Sequence, residues 1–105
     1  MKLKEMDIKD SIETLLATGL FKPFMDNHLC DDGYCVPQHL IFLNSKIYFY
    51  IDHLRPDYYD YRKTKISIMD FGEKGKRSQI SLEDFISRLS SNDAVKFLFY
   101  LDLFV

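Results

Sequence analysis

From Asp7 to Thr18 apolar residues recur at helical spacing, with Ile8, Ile12, Leu15 and Leu16 on one side and Lys9, Asp10, Glu13 and Thr14 on the other. Asp7 stands where an N-cap carboxylate accepts from a free amide of the first turn, and Gly19 where a left-handed residue closes a helix. The pattern predicts a helix here. Leu20 to Gln38 carries Pro23, Asp26-Asn27, Asp31-Asp32-Gly33 and Pro37, all turn or breaker residues, and reads as irregular.

The period then switches to two. Lys46 to Asp52 places Ile47, Phe49 and Ile51 on one face and Tyr48 and Tyr50 on the other, which predicts a half-buried strand. Leu40 to Leu43 is apolar on both faces and predicts a strand covered on both sides, joined to the next at Asn44-Ser45. After an Arg55-Pro56-Asp57 turn, a third strand is expected over Tyr61 to Phe71, with Ile66 and Ile68 opposite Lys63, Lys65 and Ser67. Gly72 to Arg77 reads as a polar turn.

Ser81-Leu82-Glu83-Asp84 opens a capped helix, with Ile80 and Phe85 at the positions of a hydrophobic staple and Leu82, Phe85, Ile86 and Leu89 as its buried stripe. Ser90-Ser91-Asn92 breaks it and caps a further helix over Asp93 to Leu103, apolar nearly all round. The order predicts one α+β domain over residues 1–105: an N-terminal helix, a three-stranded antiparallel meander and two C-terminal helices packed on the sheet.

Composition supports that picture. The 105 residues are 47% hydrophobic and 29% charged with a net charge of -2, which suits one packed core and argues against disorder. The longest charge-free apolar stretch, Phe97 to Leu101, falls far short of the roughly 20 residues a bilayer needs, so no membrane partner is expected. Met1-Lys2-Leu3-Lys4-Glu5 does not read as a secretory signal, and two cysteines without one point to a cytoplasmic chain with reduced thiols.

Candidate chemistry gathers in three places. His28, Cys30, Cys35 and His39 form the ligand set of a tetrahedral Zn²⁺ site, although the cysteines lack the common spacing. The alternative is a hairpin turning at Asp32-Gly33, which sets Cys30 opposite Cys35 as packed thiols or a disulfide. No other cofactor is expected. Tyr48, Tyr50, Tyr61, Lys63 and Lys65, extended by Lys74, Lys76 and Arg77, combine stacking rings with cations as single-stranded nucleic-acid platforms do, against an acidic net charge. Arg55, Tyr58, Tyr59, Tyr61 and Arg62 are of the types enriched at protein-binding hot spots and form the preferred interaction surface; the bland reading is a loop folded back on the core.

Catalysis finds little support. Asp52 and His53 are adjacent, which on a strand sends them to opposite faces, and Asp70-Phe71-Gly72 matches a kinase tripeptide without the rest of its signature. The last segment, ending Leu103-Phe104-Val105, is expected to be buried within the monomer or else to form a homodimer contact or dock on a partner. Together these features favour a small non-enzymatic protein that binds another macromolecule, most readily a protein, in the manner of an inhibitor, adaptor or accessory factor of a mobile element. Single-stranded nucleic-acid binding is the alternative, and a zinc-stabilised module the second.

Overall fold

The computed structural model describes residues 2–24, 28–31, 34–54, 63–72 and 75–105; of 28–31, 34, 35, 53, 54 and 63 only the backbone is described. After a 3₁₀ turn at Leu3–Glu5, the chain forms α1 (Ile8–Ala17), β1 (Phe21–Pro23), β2 (His28–Asp31), β3 (Tyr34–Pro37), β4 (His39–Phe42), β5 (Ile47–Leu54), β6 (Lys63–Asp70) and β7 (Ser78–Ile80). α2 (Leu82–Ser87), α3 (Ser91–Leu98) and a 3₁₀ turn at Leu101–Leu103 complete it.

The class is α+β, as the pattern predicts, but the three-stranded meander is too small. The sheet is an antiparallel five-stranded one in the order β1-β4-β5-β6-β7, and β2 and β3 form a separate two-stranded ribbon inserted between β1 and β4. The stretch read as irregular therefore holds three strands. Pro23 does not prevent this, because of where it falls in the ladder. Phe24 N–H donates to His39 C=O at 2.8 Å and Leu43 N–H to Leu20 C=O at 2.9 Å, which makes Phe21 and Pro23 the non-bonded positions of the β1–β4 register. The amide that proline lacks would have pointed outward, away from β4.

The three helices lie on one face of the sheet. Ile8, Ile12 and Leu15 of α1, Phe85 of α2 and Phe97 of α3 pack with Phe21, Leu40, Phe42, Phe49, Ile51 and Ile68 of the strands in one buried core. Aromatic edges dominate its centre: the Phe85 ring meets Phe97, Phe42 and Phe49 at 4.8, 5.0 and 5.2 Å between centroids. The helix ends follow their caps. Asp7, Ser81 and Ser90 each accept from the amide three residues on, at 2.8, 3.1 and 3.2 Å.

At the other end of β6, Asp70 ties the sheet to α2 through an ion pair with Arg88. Its carboxylate accepts from Gly72 N–H at 3.0 Å, and that bond, with Arg88, holds the Asp70 carboxyl below its ordinary range against the opposing effect of burial. Gly72 has φ +62°, and a Cβ there would run into the Lys76 carbonyl oxygen, so no other residue fits this corner without moving the backbone.

Candidate interaction surfaces

Among the described residues the helices all lie on one side, and the register decides which side chains meet on the opposite face of the sheet. His39 stands opposite Tyr50, Ile41 opposite Tyr48, Tyr48 opposite Met69, Tyr50 opposite Ser67 and Asp52 opposite Lys65. The Tyr48 and Tyr50 of the predicted stacking platform thus share the helix-free face. They are not equivalent. Phe71 at 4.9 Å, His39 at 5.4 Å and Phe24 at 5.8 Å close around the Tyr48 ring, leaving it only 3% exposed. Tyr50 stays half-buried, with the His39 ring 4.7 Å away. Burial and the Asp52 carboxylate, to which its hydroxyl donates, raise the Tyr50 pKa.

Cations rim this face. The Arg77 guanidinium sits 5.6 Å over the Phe71 ring, while Lys65 and Lys76 are exposed. Lys63 follows Lys65 by strand alternation at the backbone level, and Tyr61 and Lys74 lie outside the described residues. The neighbouring Asp52 offsets part of the positive charge. Phe24 and Phe71 are not among the sequence-predicted platform residues: Phe24 falls in the stretch read as irregular, and Phe71 ends the expected third strand, where alternation puts it on the face of Lys63 and Lys65.

His39 sits in this cluster, and its pKa is lowered, first by burial and then by the charge of Arg77. A folded-state pKa below the unfolded value of about 6.5 gives a stability contribution that is complete above that value and is lost as the pH falls through the folded pKa. The difference in unfolding free energy between the native chain and H39Q is therefore constant above neutrality and shifts in favour of H39Q as the pH drops through this window. Urea titrations across the range check it; parallel pH curves for the two proteins would contradict the burial of a neutral imidazole.

The proposed zinc ligands are distributed as follows. β2 and β3 pair with Asp31 opposite Tyr34 and Cys30 opposite Cys35, the register expected of a hairpin turning at Asp32-Gly33, a dipeptide that itself lies outside the described residues. His28 stands opposite Pro37 in the ribbon, whereas His39 is on β4 against Tyr48 and Tyr50. Among the described residues no group of three His, Cys, Asp or Glu side chains is placed to hold a metal ion; the side chains of His28, Cys30 and Cys35 are outside that set. Arg55, Tyr58, Tyr59, Tyr61 and Arg62, the preferred interaction surface in the sequence, also lie outside the described residues.

The C-terminal segment differs from the single buried helix expected over Asp93 to Leu103. α3 runs only over Ser91–Leu98, and a 3₁₀ turn follows at Leu101–Leu103. Full burial fails for a geometric reason: Phe97 is fully buried, but among the described residues no element packs on the opposite side of so short a helix. Val95 is 70% exposed, Leu98 46%, Phe99 81% and Val105 50%. Val95, Leu98 and Phe99 follow the i, i+3, i+4 spacing and form one row. Beneath Phe99 a groove of about 460 Å³ opens against α1, lined by Thr14, Ala17 and Thr18 on one side and Tyr100, Asp102 and Leu103 on the other. No helix among the described residues is long and apolar enough to cross a membrane. Comparison with protein-family models, with curated proteins and with solved structures found no match.

Proposed function

We propose that this chain is a non-enzymatic binding protein that acts by contact with another protein, presenting the Val95, Leu98 and Phe99 row of α3 as the anchor of that contact. The observation that carries the reading is the exposure of Phe99, a large ring four-fifths in water on an otherwise well-capped helix. Large apolar side chains grouped on one surface, beside a groove, have the composition of an interface centre, where aromatic anchors supply most of the binding energy. Occlusion of a partner's working surface by a rigid sheet-and-helix body is the mode of action such a surface suits, as in an inhibitor or adaptor.

The test is affinity capture from the native host, with the captured protein then purified and titrated against the V95S/F99S chain. Loss of at least about thirtyfold in affinity, roughly 2 kcal/mol, with an unchanged melting temperature is the expected result. Equal affinity for both chains would remove α3 from the interface.

Single-stranded nucleic acid is the competing reading, favoured by the Arg77–Phe71 contact and the exposed Lys65 and Lys76 around the open face. It ranks second because Tyr48 is enclosed by its neighbours and because the net charge is -2. Capture of nucleic acid whose binding weakens steeply with salt would reverse that ranking.

A further inference from the structure

Side-chain types along α3 and the turn after it are arranged nearly symmetrically about Phe99. Apolar Val95 and Leu103 stand four residues to either side, oppositely charged Lys96 and Asp102 three, and apolar Leu98 and Tyr100 one. Phe99 keeps the helical backbone of α3, so Lys96 lies next to it at i, i+3 spacing. Toward the C-terminus, Asp102 borders the same groove as Phe99. Lys96, Phe99 and Asp102 therefore follow one line, while Phe97 turns into the core. The axial step from Phe99 is about 4.5 Å to Lys96 in α-helical backbone and about 6 Å to Asp102 in 3₁₀ backbone, close to equal.

Such an order is self-complementary. A two-fold axis that passes Phe99 and lies across the helix sets a second copy antiparallel, so that Lys96 of each copy meets Asp102 of the other. The same rotation puts Val95 against Leu103 and brings the two Phe99 rings together at the axis. We propose that the Val95, Leu98 and Phe99 row pairs with the same row of a second copy in this antiparallel register, forming a weak, reversible homodimer. The pair is inferred from this chain alone; below its Kd the chain is monomeric and the row is free for the partner proposed above.

The occupant follows from the charges. Lys96 and Asp102 are both exposed, and among the described residues neither makes an ion pair or a side-chain hydrogen bond. A surface of one sign would attract one of them and repel the other, whereas a rotated copy offers each its counter-charge, twice per dimer. Parallel pairing would instead set like charges against each other. Phe99, the most exposed large apolar side chain among the described residues, supplies an aromatic anchor at the centre of the contact. α3 has eight residues and the turn three, a smaller contact than the roughly 800 Å² per partner of a standard interface, so the affinity expected is micromolar.

Sedimentation equilibrium of the full chain from about 5 to about 500 µM, at low salt where surface charges are least screened, tests the pair. The native chain dimerises with a Kd of about 30 µM, and F99S stays monomeric throughout with an unchanged melting temperature. K96E and D102K each weaken self-association about tenfold, because each sets like charges face to face at both ends of the contact. Mixed one to one, these two variants form a heterodimer about tenfold tighter than either homodimer, since each supplies the charge the other lacks. A native chain that is monomeric over the whole range overturns the proposal and leaves the row to a different protein. So does an F99S chain that still dimerises, which places the contact elsewhere, or a mixture no tighter than its components, which excludes the antiparallel register. None of these results bears on the titration of V95S/F99S against a captured partner, so the two readings fail separately.

Discussion

Replacing Phe85 by Ala lowers the unfolding free energy by about 4 kcal/mol, the cost of a large cavity in a site that cannot collapse. The side chain is fully buried, and its ring meets three others from three different elements. α2 is only six residues long, too short to hold itself together in water, so it persists because this ring pins it to the sheet. Of the 5–15 kcal/mol typical of a domain, little then remains. F85L keeps most of the volume and costs roughly 1.5 kcal/mol at most. Guanidinium unfolding of both variants checks the pair. A loss below about 1.5 kcal/mol for F85A would mean that the core around Phe42, Phe49 and Phe97 closes over the gap.

The second large effect lies at the only hydroxyl pair in the core among the described residues. Thr64 Oγ1 donates to Met6 C=O at 2.8 Å, while Ser11 Oγ lies 3.0 Å from Leu3 C=O and 3.2 Å from Thr64 Oγ1. Two protons serve three contacts: the Thr64 proton goes to Met6, and the Ser11 proton is shared. T64V preserves shape and removes the one donor Met6 C=O has there, at a cost of about 2 kcal/mol. T64S retains the hydroxyl and recovers most of that loss. Because the pair anchors the Leu3–Glu5 turn to β6, T64V also accelerates amide exchange from Lys4 to Met6 selectively. Uniform acceleration across the chain would indicate a global loss of stability instead.

What the sequence disclosed and what it withheld divide along physical lines. α1 is where its apolar stripe and Asp7 cap put it, α2 starts after Ser81, and β5 carries the expected alternation through Ile47, Phe49 and Ile51. Each of these rests on several residues acting in the same sense. β1 and β7 have three residues apiece, too few for a period to emerge, and both are held by the long strands beside them. Pro23 suggested a break because local chemistry does not tell a bonded ladder position from an unbonded one. The open face was legible for Tyr48 and Tyr50, whereas the enclosure of Tyr48 by Phe24, His39 and Phe71 depends on which strands become neighbours. The exposed row of α3 was hidden for a similar reason: an all-apolar segment does not announce which of its sides will lack a neighbour.

The ring of Pro23 gives the sheet a direction of growth. At its β1 border the outward positions are Phe21 and Pro23, so this margin offers a single N–H, too sparse a ladder for another chain to lengthen. Strand addition, wanted or accidental, is thereby channelled to the opposite border. P23V would restore the missing donor, turning a molecule with one extensible end into one that could polymerise from both.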